Sequence, residues 1–223
     1  MDAYLLAGFV RAKPGQRMID LGTGTGTVPI LLASFHPGLS LVGVEIQPRL
    51  AAAARANVAA NAMADKVEIL EQDVRVITRF LPAGHFSQVV SNPPYYKLRT
   101  GRVNPSMERA MARHEIALTL QQLVETASVL LEDRGVLNLI FTPERLPELL
   151  GEMKTHRIAP NRLRMVHSYR ASPATLALVA GTKDGRSHMA VEPALIIYEK
   201  NRRYTAEVEA LYGRAAGLRW MDP

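Results

Sequence analysis

Short apolar runs rich in branched residues alternate along this chain with segments of helical character. "RMIDLG" and "LSLVGVEI" begin the series, and "KVEIL" (67–70 at its core), "FSQVVS" (86–91) and "GVLNLIF" (135–141) continue it. Continuous runs of this kind suit strands covered on both faces of a parallel sheet. Between them lie "TVPILLASF", the alanine-rich "PRLAAAARANVAANAMA" with Pro48 at a first helical position, and "IALTLQQLVETASVLL". In the last of these, Leu120, Leu123, Val124, Ala127, Leu130 and Leu131 share one helical face, and Gly135 reads as the stop signal. Five βα units in succession predict a doubly wound α/β sheet. The pattern then changes: "RLRMVHSY" (162–169) and "ATLALVAGTK" (174–183) are separated only by a short turn around Pro173, which predicts an antiparallel hairpin. The stretch from Tyr96 to about Arg113 is the one long irregular connection, and long loops in compact domains tend to serve function.

Composition narrows the classes. With 223 residues, 48% of them hydrophobic, one domain spanning 1–223 is expected. No apolar run approaches a membrane span, and the first residues lack a basic leader and a small-residue cleavage site, so a soluble, cytoplasmic protein is expected. The absence of cysteine removes disulfides, thiolate metal sites and cysteine nucleophiles. The six histidines are dispersed, "HEIAL" has no second histidine four residues on, and no metal site is expected.

A net charge of +6 is a weak clue, but its distribution is not random. Lys97, Arg99, Arg102, Arg109 and Arg113 face one acid, Glu108, within seventeen residues. Lys154, Arg157, Arg162, Arg164 and Arg170 occupy an acid-free stretch with His156 and His167, and Lys200, Arg202 and Arg203 form a third cluster. Such segregation favours a polyanionic partner over a uniformly solvated surface.

"IDLGTGTG" puts Gly22, Gly24 and Gly26 between the first strand and the first following helix, where small residues let a ligand approach the backbone. The spacing is not that of a pyrophosphate binder, and Asp20 just ahead of it would repel a phosphate, so an uncharged or cationic ligand portion suits the turn. Glu45 ends the second strand and can accept hydrogen bonds from both hydroxyls of a ribose; Asp73 ends the third similarly. The fourth strand delivers "NPPY" to the same edge. Pro93 and Pro94 fix the backbone and remove two N–H donors, so the Asn92 side-chain carbonyl and the Pro93 carbonyl form a rigid acceptor pair suited to an amino group. Tyr95 adds a flat face on which a planar group can stack.

"DLGTGTG", Glu45, Asp73 and "NPPY", in this order, resemble the class I S-adenosylmethionine-dependent methyltransferases that act on amino groups. "ARHEIALTL", "FTPERLPEL" and "EPALIIYEKNRRYTAEVEALY" are similar to the bacterial tRNA adenine methyltransferases that modify the adenine beside the anticodon of valine tRNA. The resemblance covers nearly the whole chain. It implies a Rossmann-like domain with a seven-stranded, mostly parallel sheet ending in an antiparallel hairpin. It implies S-adenosylmethionine held by Asp20, Gly22, Thr23, Gly24, Gly26, Glu45, Ile46, Asp73, Val74 and Asn92. It further implies methyl transfer to adenine N6 at Asn92, Pro93, Pro94 and Tyr95, with Lys97, Arg99, Arg102, Arg109, Arg113, Arg162 and Arg164 on the tRNA. Relatives of that kind usually carry further residues ahead of the segment matching "DAYLLAGF", and those residues help cover the active site. Alternatives within the same chemistry are a glutamine side-chain amide in protein and guanine N2 in ribosomal RNA. An RNA-binding module without turnover is the alternative outside it.

Overall fold

The computed structural model describes residues 1–93, 118–186 and 188–221. Helix α1 (Asp2–Phe9) precedes strand β1 (Arg17–Leu21), and α2 (Thr27–Phe35), β2 (Ser40–Glu45), α3 (Pro48–Ala60), β3 (Val67–Glu71) and β4 (Phe86–Ser91) follow. After residues 94–117 come α4 (Leu120–Leu130), β5 (Leu131–Phe141), α5 (Leu146–Thr155), β6 (Ile158–His167) and β7 (Ala174–Lys183). Two-residue strands β8 (Ala190–Val191) and β9 (Leu195–Ile196) and helix α6 (Ala206–Arg214) end the series.

The sheet runs β3-β2-β1-β4-β5-β7-β6-β8, with β9 also paired to β6. Neighbours from β3 to β5 are parallel, and β7 is antiparallel to both β5 and β6. The seven expected strands and the hairpin are present. Two short strands extend the edge beside β6; their registers on β6 differ by one residue, and Pro193, which has no N–H to donate, lies between them. The chain runs outward from β1 to β3 and then returns to β4 on the other side, so the topological switch point lies between the ends of β1 and β4.

Strand alternation divides the core in two. Met18 and Val90 join the cluster under α1, α2, α3 and α6, whereas their neighbours Ile19 and Val89 join the cluster under α4 and α5. Leu123, Val124, Ala127 and Leu130 of α4 are buried, as their spacing predicts. Full burial of each large apolar side chain among them contributes roughly 1.5–3 kcal/mol. Thr119 and Gln122 form a reciprocal capping box that fixes where α4 starts.

Three expectations are corrected. Helix α4 ends at Leu130, and Arg134, not Gly135, takes the left-handed conformation, with φ of 64°. Leu131 already pairs with Phe86, while Val136 pairs with Gln88, so residues 132–135 bulge between two registers of β5. Helix α3 stops at Ala60 rather than running to Ala64, because Asn61 and Ala62 (φ 52°) turn the chain. Finally, β3 is followed by a single 3-10 turn, Ile77–Arg79, and not by an α-helix, so the βα alternation is broken there.

Five tyrosines from distant parts of the chain form a ladder. Tyr4 meets Tyr212 at 4.4 Å between ring centroids, Tyr212 meets Tyr204 at 5.3 Å, Tyr204 meets Tyr198 at 5.3 Å, and Tyr198 meets Tyr169 at 5.6 Å. It joins α1 and α6 to the residues after β9 and to the β6–β7 turn.

Candidate active site

The turn after β1 is built on backbone that L side chains resist. Gly22, Gly24 and Gly26 have φ of 81°, 56° and 79°, and Gly26 is also the N-cap of α2. The amides of Gly22 and Thr23 donate to the Val44 carbonyl at 3.0 and 2.9 Å, tying the turn to β2. A Cβ on Gly22 or Gly24 would meet nothing within 4 Å, so these two positions face open space. A Cβ on Gly26 would lie 3.1 Å from that of Ala54. Buried Ala54 is thereby explained, since its small side chain lets α3 approach the turn closely.

Glu45 locks this arrangement from the end of β2. Its Oε2 accepts from the Gly24 amide and its Oε1 from the Gln47 amide, both at 2.9 Å, although the residue is 5% exposed. One carboxylate thus anchors both the glycine turn and the entry to α3, and its remaining lone pairs are available to hydroxyl donors. Ile46 follows it, half-buried.

Asp20 differs. It is 1% exposed, and neither carboxylate oxygen has a hydrogen-bond partner; the buried Thr23 hydroxyl is likewise without one. Burial pushes the Asp20 carboxyl up to about 7; the Thr23 hydroxyl, close by but outside hydrogen-bond geometry, opposes the shift, and the Glu45 charge adds to it. Unpartnered buried oxygens of this kind call for a donor.

Asp73 lies two residues beyond β3 and is already engaged. Its carboxylate accepts from the Arg75 amide at 2.8 Å and from the Arg75 guanidinium at 2.6 to 3.1 Å. Partial burial raises its pKa, but these hydrogen bonds outweigh burial and hold it below the usual carboxylate range. Val74 is buried, and its carbonyl accepts from Thr126 at 3.4 Å. An arginine two positions after an acid was the available sequence signal for this pairing.

On the other side of the switch point, Ser91 donates to the Leu21 carbonyl at 2.6 Å, fastening the end of β4 to the end of β1. Half-buried Asn92 and Pro93 follow directly. The sequence candidates Asp20, Glu45 and Asn92 therefore converge on one edge. Pro94, Tyr95, Lys97, Arg99, Arg102, Arg109 and Arg113 lie outside the described residues.

Arg162 and Arg164 are committed elsewhere. Arg162 is 9% exposed, donates to the Phe9 carbonyl at 2.6 Å, and sits over the Phe9 ring. Arg164 forms a two-pronged pair with Glu207 at 2.6 and 2.8 Å. Both act within the fold in this structure.

Sequence reasoning missed a brace behind the glycine turn. Asn57, 1% exposed on α3, donates to the Thr25 carbonyl at 2.9 Å and accepts from the Met221 amide at 2.6 Å. Asn61 adds two bonds to the Arg219 backbone, at 2.7 and 2.8 Å. No local pattern announces a bond across this much sequence.

The strand order, the reversed β7, the glycine turn after β1 and the acid ending β2 define a Rossmann-like class I methyltransferase. The chain belongs to the methyltransferase small domain family, whose model matches residues 2–153. A Porphyromonas gingivalis protein named tRNA1(Val) (adenine(37)-N6)-methyltransferase is 35% identical over 173 residues, 75% of this chain and 67% of its own length. A Photobacterium profundum protein of the same name is 26% identical over 212 residues, 94% of this chain and 87% of its own. A crystal structure described as a predicted O-methyltransferase from Agrobacterium tumefaciens is 25% identical, with a TM-score of 0.79 over 97% of both chains.

Proposed function

We propose that the chain transfers a methyl group from S-adenosylmethionine to the exocyclic N6 amino group of adenine in tRNA, beside the anticodon of a valine tRNA. The observation that carries the proposal is the convergence of an unpartnered Asp20 carboxylate, the open glycine turn and Asn92-Pro93 at one switch point.

The residues fit the cofactor. Asp20 and Thr23 offer buried acceptors to an ammonium group, Gly22 and Gly24 leave room against the backbone, and Glu45 retains lone pairs for ribose hydroxyls. When bound, S-adenosylmethionine supplies a methyl group activated by its sulfonium. Asn92 and the Pro93 carbonyl accept the two N–H groups of the incoming amine and aim its lone pair at that methyl. The amine becomes acidic only as it acquires positive charge, so no strong base is needed beforehand.

The Agrobacterium description suggests a hydroxyl acceptor as the second reading. A hydroxyl supplies one donor and an amino group two, and a paired acceptor matches the amine. The names of the curated relatives support adenine in tRNA over a protein amide or guanine. The test is to incubate the protein with labelled methyl donor and total tRNA and digest to nucleosides. Label in N6-methyladenosine is expected, and label confined to a ribose hydroxyl, guanine or protein overturns the reading.

A further inference from the structure

We propose that the β6–β7 turn and the turn between Tyr198 and Tyr204 form a docking surface for an unpaired segment of the RNA substrate. Tyr169 stacks one base, and Arg170, Lys200, Arg202 and Arg203 hold the adjoining phosphates. The inference rests on the RNA reading above and extends it to a surface away from the methyl-transfer centre.

Strand register puts this surface on the catalytic edge. Ser91 aligns through Leu139 and Val179 with Leu163, and β6 continues past that level to His167. Because β6 lies three strand spacings from β4 and Tyr169 lies several residues farther along, the ring is roughly 20 Å from Asn92. A bound loop can therefore reach both places.

Tyr169 is held ready to stack. Its amide donates to Ser172 Oγ at 3.0 Å, Ser172 Oγ donates back to its carbonyl at 2.8 Å, and the Ser172 amide donates to the same carbonyl at 2.9 Å. Tyr198 lies against the ring, and the ladder backs it in turn, yet Tyr169 remains 38% exposed. A fixed, half-exposed ring at the end of a stack loses little freedom when a base joins it. Burial and the neighbouring Tyr204 hydroxyl push the Tyr212 hydroxyl up to about 12.

The cations beside it are unspent. Arg145, Arg157, Arg162 and Arg164 each have an acidic partner, whereas Arg170, Lys200, Arg202 and Arg203 are exposed and make no ion pair among the described residues. The last three sit in a turn pinned by the Glu199 amide to the Arg203 carbonyl at 2.8 Å and by the Arg202 amide to the Glu199 carbonyl at 3.0 Å. Glu199 is the one acid between Tyr198 and Tyr204, against three bases. This balance suits a polyanion.

The test measures tRNA binding across a salt series, with methyl-donor binding and thermal unfolding followed in parallel. Tyr169→Ala should weaken tRNA binding roughly 10- to 100-fold, and Tyr169→Phe, which keeps the ring, should not. The combined Lys200→Ala, Arg202→Ala and Arg203→Ala variant should flatten the slope of log affinity against log salt by about 0.7–0.9 for each phosphate that is no longer neutralised. Donor binding should be unchanged in all three variants. Unchanged tRNA affinity and slope overturn the docking surface and leave the proposed function standing, and a loss of thermal stability alone gives the ladder a purely structural role and overturns it equally. A wild-type protein that neither binds tRNA nor methylates adenine overturns both proposals.

Discussion

Glu45 accepts the Gly24 amide at 2.9 Å, so an acid at the end of one strand holds the turn that leaves its neighbour. The same carboxylate receives the Gln47 amide, which makes it a structural clamp before any cofactor arrives. Glu45→Ala leaves two backbone donors without their acceptor, at a cost of about 1–3 kcal/mol each. Denaturant unfolding of the unliganded protein should register that loss. Calorimetry should show weaker methyl-donor binding, and Glu45→Gln, with one carbonyl oxygen to share, should fall between. Weakened donor binding with unaltered unfolding would reduce Glu45 to a ligand contact alone.

Asp20 makes the unliganded protein sensitive to pH. Its folded-state pKa of about 7 lies above the ordinary 3.8, so the folded chain binds more protons than the unfolded chain between these values. The sign follows: relative stability is fully present below about 4 and is lost as pH rises through about 7. Asp20→Asn should remove this fall. Denaturant midpoints for wild type and variant at pH 5 and pH 8 test it, and parallel pH responses would refute the assignment. If the ionised carboxylate receives the donor's ammonium group, wild-type affinity should rise with pH until about 7 and then level, with proton release visible by calorimetry in buffers of different ionisation heat.

Asn92 is assigned the orientation of the attacking nitrogen rather than the holding of most of the cofactor. Asn92→Ala should lower turnover by roughly 10²–10³, the loss typical of one preorganised polar group, while methyl-donor affinity changes little. Initial rates at saturating tRNA alongside donor-binding calorimetry separate the two effects. Near-normal turnover would leave Asn92 a structural role only.

The glycines of the turn should not respond alike to alanine. At Gly22 the cost is conformational, about 1–2 kcal/mol for a left-handed residue, because the added methyl meets open space. At Gly26 the same conformational cost is joined by a methyl held 3.1 Å from Ala54, so α3 must also move. Gly26→Ala should lower the unfolding midpoint more than Gly22→Ala. Equal losses would mean that α3 yields freely.

The inner strands were readable because parallel strands buried on both faces leave short, mostly apolar runs, as "RMIDL" and "SLVGVE" do, with the acids Asp20 and Glu45 near their carboxyl ends. Glu45 and Asp20 were readable as strand-end acids, but their difference was not: one is satisfied by two amides and the other by none, a matter of angles that sequence does not encode locally. The end of α4 was misplaced because Leu131 continues the apolar face of the helix while belonging to the strand. Arg164 was legible as a cation but not as the partner of Glu207, 43 positions away. The segregated charge that suggested a polyanion thus included side chains that the fold uses for itself.

The bonds from Asn57 and Asn61 to residues 219–221 join the glycine turn to chain more than 150 positions distant. The turn therefore rests on a strap whose release requires neither strand separation nor helix unwinding. Exchange of the Gly24 and Thr25 amides with deuterated solvent should report how often the strap lifts, and Asn57→Ala should speed that exchange while the β1 and β4 amides remain slow. Ligand capture would then be tuned by a reversible latch outside the sheet, adjustable by mutation without disturbing the strands that carry the acids.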